Sequence, residues 1–134
     1  MTTPSTLPDA VDPARKQLRV LYADDMLQLR ELLVIVLSRD GHTVDTAANG
    51  FDALEKITAT PQAYDVIITD HHMPGMNGLE LVTSIRKTPY AGKIIIFSSE
   101  LSEAVNAAYQ RLKVDFILPK PIFPAQLRDL FAKL

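Results

Sequence analysis

"DVIITDHHMPGMNG", residues 65–78, is the stretch on which the reading of this chain turns. A short apolar run, Val66-Ile67-Ile68, leads into Asp70, and a loop broken by Pro74, Gly75 and Gly78 follows at once. An acid placed where a buried strand surfaces, with His71 and His72 beside it, suits a metal site, a hydrolase carboxylate or a phosphate acceptor. The rest of the chain has to choose among them.

Short apolar runs alternate with segments of helical period on both sides of this stretch. Residues 18–23 ("LRVLYA") predict a buried strand. Residues 26–40 place Leu29, Leu32, Leu33, Val36 and Leu37 on one helical stripe, closed by Gly41. A second strand is expected at 43–47, and Asn49-Gly50 reads as a turn before a helix over 51–59. "DVIIT" is the third strand, followed by a helix over 79–88 that stops at Pro89. A fourth strand at 93–98 precedes a helix from Ser102, a good N-cap. "DFIL" (115–118) is the last strand, and 124–134 the last helix, with Pro124 in its first turn.

Five strands, each followed by a helix, predict an α/β domain with a parallel sheet. The apolar runs are near-continuous, as expected of strands covered on both faces. The 134 residues suffice for one domain with a sizeable core. Hydrophobic residues make up 47% and charged ones 22%, an ordinary globular balance. A net charge of −2 gives no reason to expect nucleic-acid binding. The chain has no cysteine, which excludes disulfides and thiolate metal sites and suits a cytoplasmic protein. No apolar run is long enough for a membrane span, and residues 1–17 lack the order of a signal peptide. With Pro4, Pro8 and Pro13 among small polar residues, 1–17 reads as a poorly ordered tail, leaving 18–134 as the domain.

Ligands of open parallel sheets bind outside the carboxyl ends of the strands. The polar residues at those ends are Asp24 and Asp25 after the first strand, Asp70 after the third, Ser98 after the fourth and Lys120 after the fifth. Clustered carboxylates repel one another unless a cation neutralises them. An oxygen-rich, cysteine-free ligand set points to a hard divalent ion, with Mg²⁺ the natural choice. A carboxylate can also act as a nucleophile and form an acyl phosphate, with Lys120 and Ser98 suited to phosphoryl oxygens.

Each residue alone has a plainer reading. Asp24 or Asp25 can cap the following helix, Ser98 can close a turn, and Lys120 can be a solvated loop residue. All of these holding at four strand ends at once is improbable. The histidines are read differently: His71 and His72 as exposed loop residues rather than a zinc pair, and His42 as answering the C-terminal dipole of the first helix.

In "VLYADD" (20–25), "DVIITDHHMPGMNG" (65–78), "IIIFSS" (94–99) and "LPKP" (118–121), taken in that order, the chain resembles the receiver domain of two-component response regulators. The resemblance covers about residues 18–134. It implies a flavodoxin-like fold, a doubly wound three-layer α/β/α sandwich with strand order 2-1-3-4-5. It implies that Asp70 accepts a phosphoryl group from a histidine kinase or a histidine phosphotransfer protein, so that the domain catalyses only its own phosphorylation and dephosphorylation. Asp24 and Asp25 match the acid pair that holds Mg²⁺, Asp25 and Asp70 as direct ligands and Asp24 mainly through water. His72 matches the position whose backbone carbonyl completes the metal shell. Ser98 matches the switch hydroxyl, and Lys120 the phosphate-binding amine whose peptide to Pro121 is cis in the family.

The chain departs from the family three residues before that lysine, where an aromatic switch residue is usual. Ile117 stands there, with Phe116 beside it. Either Ile117 replaces the aromatic, or the strand register differs by one and Phe116 serves. Phosphorylation is expected to bias the fourth helix, fifth strand and fifth helix toward a second arrangement that a target protein reads. The chain ends with the last receiver helix, so output is expected through protein contact or phosphate relay, with a homodimer left open. Leu27, Val34 and Ile35 lie off the core stripe of the first helix and suit partner contact, or are covered by neighbouring elements.

Three rivals are weaker or indistinguishable. An aspartate-nucleophile phosphatase needs a second acid where His72 stands and a cap domain. A flavin or nucleotide module needs a glycine-rich loop after the first strand. A receiver cut from a hybrid kinase would look the same.

Overall fold

The computed structural model describes residues 16–100 and 102–134; the expected tail lies almost wholly outside the described residues. Five strands form one sheet: β1 (Arg19–Ala23), β2 (Thr43–Ala47), β3 (Val66–Asp70), β4 (Lys93–Ser98) and β5 (Phe116–Pro119). All neighbours are parallel, in the order β2-β1-β3-β4-β5, so the expected flavodoxin-like topology is the one observed.

The helices are α1 (Leu27–Arg39), α2 (Gly50–Ala59), α3 (Gly78–Ile85), α4 (Glu103–Arg111) and α5 (Pro124–Ala132), with a short 3-10 turn at Pro61–Ala63. Local chemistry explains the helix ends. The chain bends at residues 48–49 before α2, where Asn49-Gly50 suggested a turn. Asn49 is the N-cap of α2, its side chain accepting the Asp52 N–H. Asn77 and Glu80 form a reciprocal capping box on α3. Ser102 caps α4 through the Val105 N–H, and Gly41 takes the left-handed conformation, φ +89°, that closes α1. The third helix stops at Ile85, short of the expected 88, and the chain reaches Pro89 through a turn in which the Thr88 hydroxyl bonds the Ile85 carbonyl.

The period-two alternation of the strands divides the core. Leu21, Ile67, Ile94 and Ile96 face α2, α3 and α4, meeting Ile57, Leu81, Val82, Ile85 and Tyr109. Val20, Tyr22, Val66, Ile68, Ile95 and Phe97 face α1 and α5, meeting Leu33, Val36, Leu37, Leu127 and Phe131. The central strands β1, β3 and β4 are buried almost throughout, and the edge strand β2 alternates.

Two expectations are corrected here. Leu32 is not on the core stripe of α1: it is 41% exposed, beside Leu27 and Ile35 at 54% and 55%. The helix buries only Leu33, Val36 and Leu37, because a helix against one face of a sheet needs no wider stripe. His42 does not serve as a cation at the end of α1. It is buried, its Nδ1 accepts the Leu18 N–H at 2.9 Å, and its ring packs on Phe131. A nitrogen that accepts carries no proton, so the ring closes the start of β1 rather than answering a dipole.

Candidate functional site

The carboxyl ends of β1, β3, β4 and β5 bring Asp24, Asp25, Asp70, Ser98 and Lys120 to one edge of the sheet. Asp24 follows β1 and is fully buried. Such a carboxylate must be satisfied locally. Its Oδ1 accepts the Met26 N–H at 2.9 Å, and its Oδ2 accepts the Tyr22 hydroxyl at 2.5 Å. Arg30 of α1 donates to its backbone carbonyl at 2.7 Å. Asp25 is exposed.

Asp70, 5% exposed, ends β3. Carboxylate oxygens of Asp24, Asp25 and Asp70 all lie within 4.8 Å of one another. Lys120 reaches into this cluster, its Nζ 3.0 Å from Asp70 Oδ1 and 3.3 Å from Asp24 Oδ2. The Lys120 N–H bonds the Ser98 carbonyl, which holds its backbone at the end of β4; the Lys120–Pro121 peptide is cis.

The electrostatics follow from burial and neighbours. Burial pushes the Asp70 carboxyl up; Lys120 pulls it down, Asp24 and Asp25 push it further up, and the net direction is upward. Burial alone would lower Lys120, but the hydrogen bond to Asp70 and the charges of Asp24 and Asp70 outweigh it and hold the amine above its ordinary range. The site is therefore an acid cluster that one ammonium neutralises only in part. Its all-oxygen donor set fits a hard cation such as Mg²⁺.

Ser98 is fully buried, and its hydroxyl is taken up by the backbone of Glu100. It donates to the Glu100 carbonyl and accepts the Glu100 N–H, both at 2.8 Å, so here it closes the turn between β4 and α4. Ile117 packs into the cluster that contains Tyr109, whereas Phe116 packs against the α1 and α5 side. The pairing Ile96↔Ile117 fixes that alternation.

The two adjacent histidines separate. His72 is exposed as expected, but His71 is not. His71 is 6% exposed and hydrogen-bonded through Nδ1 to the Tyr109 hydroxyl at 2.5 Å, with the rings edge-on. Burial lowers its imidazole pKa. Its backbone continues the β3–β4 pairing through a bond to the Phe97 carbonyl, which turns the side chain inward.

Sequence reading missed Tyr22, Arg30 and the Tyr109–His71 pair. Tyr22 was within reach: it lies two residues before Asp24, on the same face of the strand. Tyr109 announced itself only as a lone aromatic among the alanines of α4.

The sequence pattern of the response regulator receiver domain matches residues 20–132. The chain is 31% identical over 123 residues to the sensory/regulatory protein RpfC of Xanthomonas campestris, covering 89% of this chain and 17% of that protein. It is 31% identical over 116 residues to a transcriptional regulatory protein, the CpxR homolog of Haemophilus influenzae, covering 87% and 48%. The chain thus spans less than half the length of these two relatives. Among solved structures, the chemotaxis protein CheY4 of Vibrio cholerae superposes with a TM-score of 0.81 at 29% identity, covering 88% of this chain and 98% of that one. A response regulator receiver protein of Pseudomonas putida gives 0.81 at 26% identity, covering 90% and 100%. No described helix is long and apolar enough to cross a membrane.

Proposed function

The chain belongs to the response regulator receiver family of two-component signalling, and on that premise we propose that Asp70 is its phosphoacceptor. The observation that carries this reading is the Lys120 ammonium 3.0 Å from Asp70 Oδ1, inside a cluster of three carboxylates. A carboxylate oxygen of Asp70 attacks the phosphorus of a phosphohistidine on a kinase or phosphotransfer protein. The O–P bond forms as the P–N bond breaks, and the electron pair leaves on the donor's imidazole nitrogen, which takes up a proton. Lys120, already on Asp70, is placed to pair with the phosphoryl oxygens as charge develops.

Asp25 and Asp70 would hold Mg²⁺ directly, Asp24 through water, with the His72 carbonyl completing the set. The ion supplies charge neutralisation among the carboxylate and phosphoryl oxygens. Asp24 is suited to an outer role because both its oxygens are already engaged by Met26, Tyr22 and Lys120. Ser98 is the switch hydroxyl: reaching a phosphoryl group requires it to leave Glu100, which moves the turn into α4. Ile117 takes the position on the α4 side of β5, and a target protein reads the α4, β5 and α5 surface. The uncovered Leu27, Leu32 and Ile35 of α1 support docking of the phosphodonor there.

Phosphoramidate, a small P–N donor, tests this reading. Wild type in Mg²⁺ should form an adduct resolved on a phosphate-affinity gel. Lys120→Ala should form it at least about tenfold more slowly, the loss expected of one charge-assisted contact. An undiminished rate in Lys120→Ala contradicts the role given to the lysine.

A further inference from the structure

The chain devotes a buried tyrosine to the residue next to Asp70, and nothing in the reaction above uses it. Tyr109 of α4 is fully buried, and its hydroxyl sits on His71 Nδ1. His71 is bonded to Asp70 by one peptide link and is tied down on two further sides. Its N–H bonds the Phe97 carbonyl of β4, and its carbonyl accepts the Gly78 N–H at the start of α3. Its ring is the third tie, and that one goes to α4.

The space for this tie is built in. A Cβ placed on Gly78 would come within 2.6 Å of the Tyr109 hydroxyl and 2.7 Å of the Asp70 carbonyl oxygen. Only the absence of a side chain there lets the phenol reach the strand end. Meanwhile the far end of α4 is anchored separately, because Arg86 donates to the Leu112 and Lys113 carbonyls at 2.8 Å each. The helix is therefore held at its C-terminal end by Arg86, just after α3, and in its body by His71, while Ser102 caps its N-terminal end.

We propose that Tyr109 is a positioning residue that couples α4 to the state of Asp70 through the imidazole of His71. The aromatic contact between the phosphoacceptor's strand end and the responding surface comes from α4, across the sheet face where β5 offers only Ile117. A displacement of the 70–71 peptide as Asp70 takes a phosphoryl group is transmitted to the phenol, and with it to the helix. The proposal rests on the reading of Asp70 as phosphoacceptor.

The test treats wild type, Tyr109→Phe and Tyr90→Phe with acetyl phosphate and Mg²⁺. Each sample is split between intact mass and amide hydrogen exchange over residues 103–111. Tyr109→Phe keeps the ring and loses only the hydroxyl. Tyr90→Phe removes another buried tyrosine hydroxyl, one that bonds the Lys93 carbonyl at the opposite end of the sheet. The expected result is full adduct in all three, with the phosphorylation-induced change in α4 exchange reduced about fivefold in Tyr109→Phe alone, the population factor of one net hydrogen bond. An unchanged response in Tyr109→Phe overturns the coupling while leaving the phosphoacceptor intact. An equal loss in Tyr90→Phe overturns it as well, because the effect would then be general loosening. No adduct on wild type overturns the reading of Asp70 and the coupling together.

Discussion

The hydroxyl of Ser98 and the backbone of Glu100 form a closed pair, each donating to the other at 2.8 Å. The side chain proposed as the switch hydroxyl is thus committed to the turn that follows β4. Releasing it toward a phosphoryl oxygen exchanges two local bonds for a charge-assisted one. Ser98→Ala should phosphorylate normally with acetyl phosphate, lose about 1 kcal/mol of stability, and show a blunted shift of α4 amide resonances. A full α4 response in that variant would remove Ser98 from the switch.

Asp70 titrates above the ordinary carboxylate range because burial and two neighbouring acids outweigh Lys120. A raised acid favours the folded state while protonated and costs stability as pH climbs through its folded value. Asp70→Asn should therefore be more stable than wild type at neutral pH, by a few degrees in Tm. The gap should close in acid, below the carboxylate range. Thermal unfolding of both proteins at the two pH values checks this, and a gap of opposite sign would mean that the Lys120 pair dominates.

Tyr22 donates to a buried carboxylate, a stronger bond than one between neutral groups. Tyr22→Phe should cost about 2 kcal/mol in urea unfolding, since Asp24 Oδ2 is left with Lys120 alone. A loss below about 0.5 kcal/mol would show that Lys120 suffices to hold Asp24.

A Cβ on Gly78 would meet the Tyr109 hydroxyl at 2.6 Å and the Asp70 carbonyl oxygen at 2.7 Å, closer than a Cβ tolerates, and the His71 Cα at a tight 3.0 Å. Two of these are backbone atoms and cannot swing aside. Gly78→Ala should lose about 1–3 kcal/mol on overpacking, measured by urea unfolding. A neutral outcome would mean that the loop after β3 yields more readily than its hydrogen bonds suggest.

The sheet was legible because its signal is redundant. Uninterrupted apolar runs, helical stripes and caps each pointed to the same five units, and the β2 and β4 bounds read from the sequence are the bounds observed. The strand-end acids and Lys120 were legible for a topological reason: in a parallel sheet every strand delivers its next polar residue to the same edge. What the sequence could not supply was which way a side chain turns at that edge. His71 and His72 are neighbours with opposite fates, decided by a backbone bond from His71 to Phe97. The commitment of Ser98 to its own turn is equally invisible in a strand pattern, as is the exposure of Leu32.

The most direct measurement is intact mass after acetyl phosphate treatment, with Mg²⁺ or with EDTA, on wild type and Asp70→Asn. One phosphoryl adduct is expected on wild type in Mg²⁺, none in EDTA and none on Asp70→Asn. An adduct that survives in Asp70→Asn, or no adduct on folded wild type, would contradict the reading of Asp70 as phosphoacceptor.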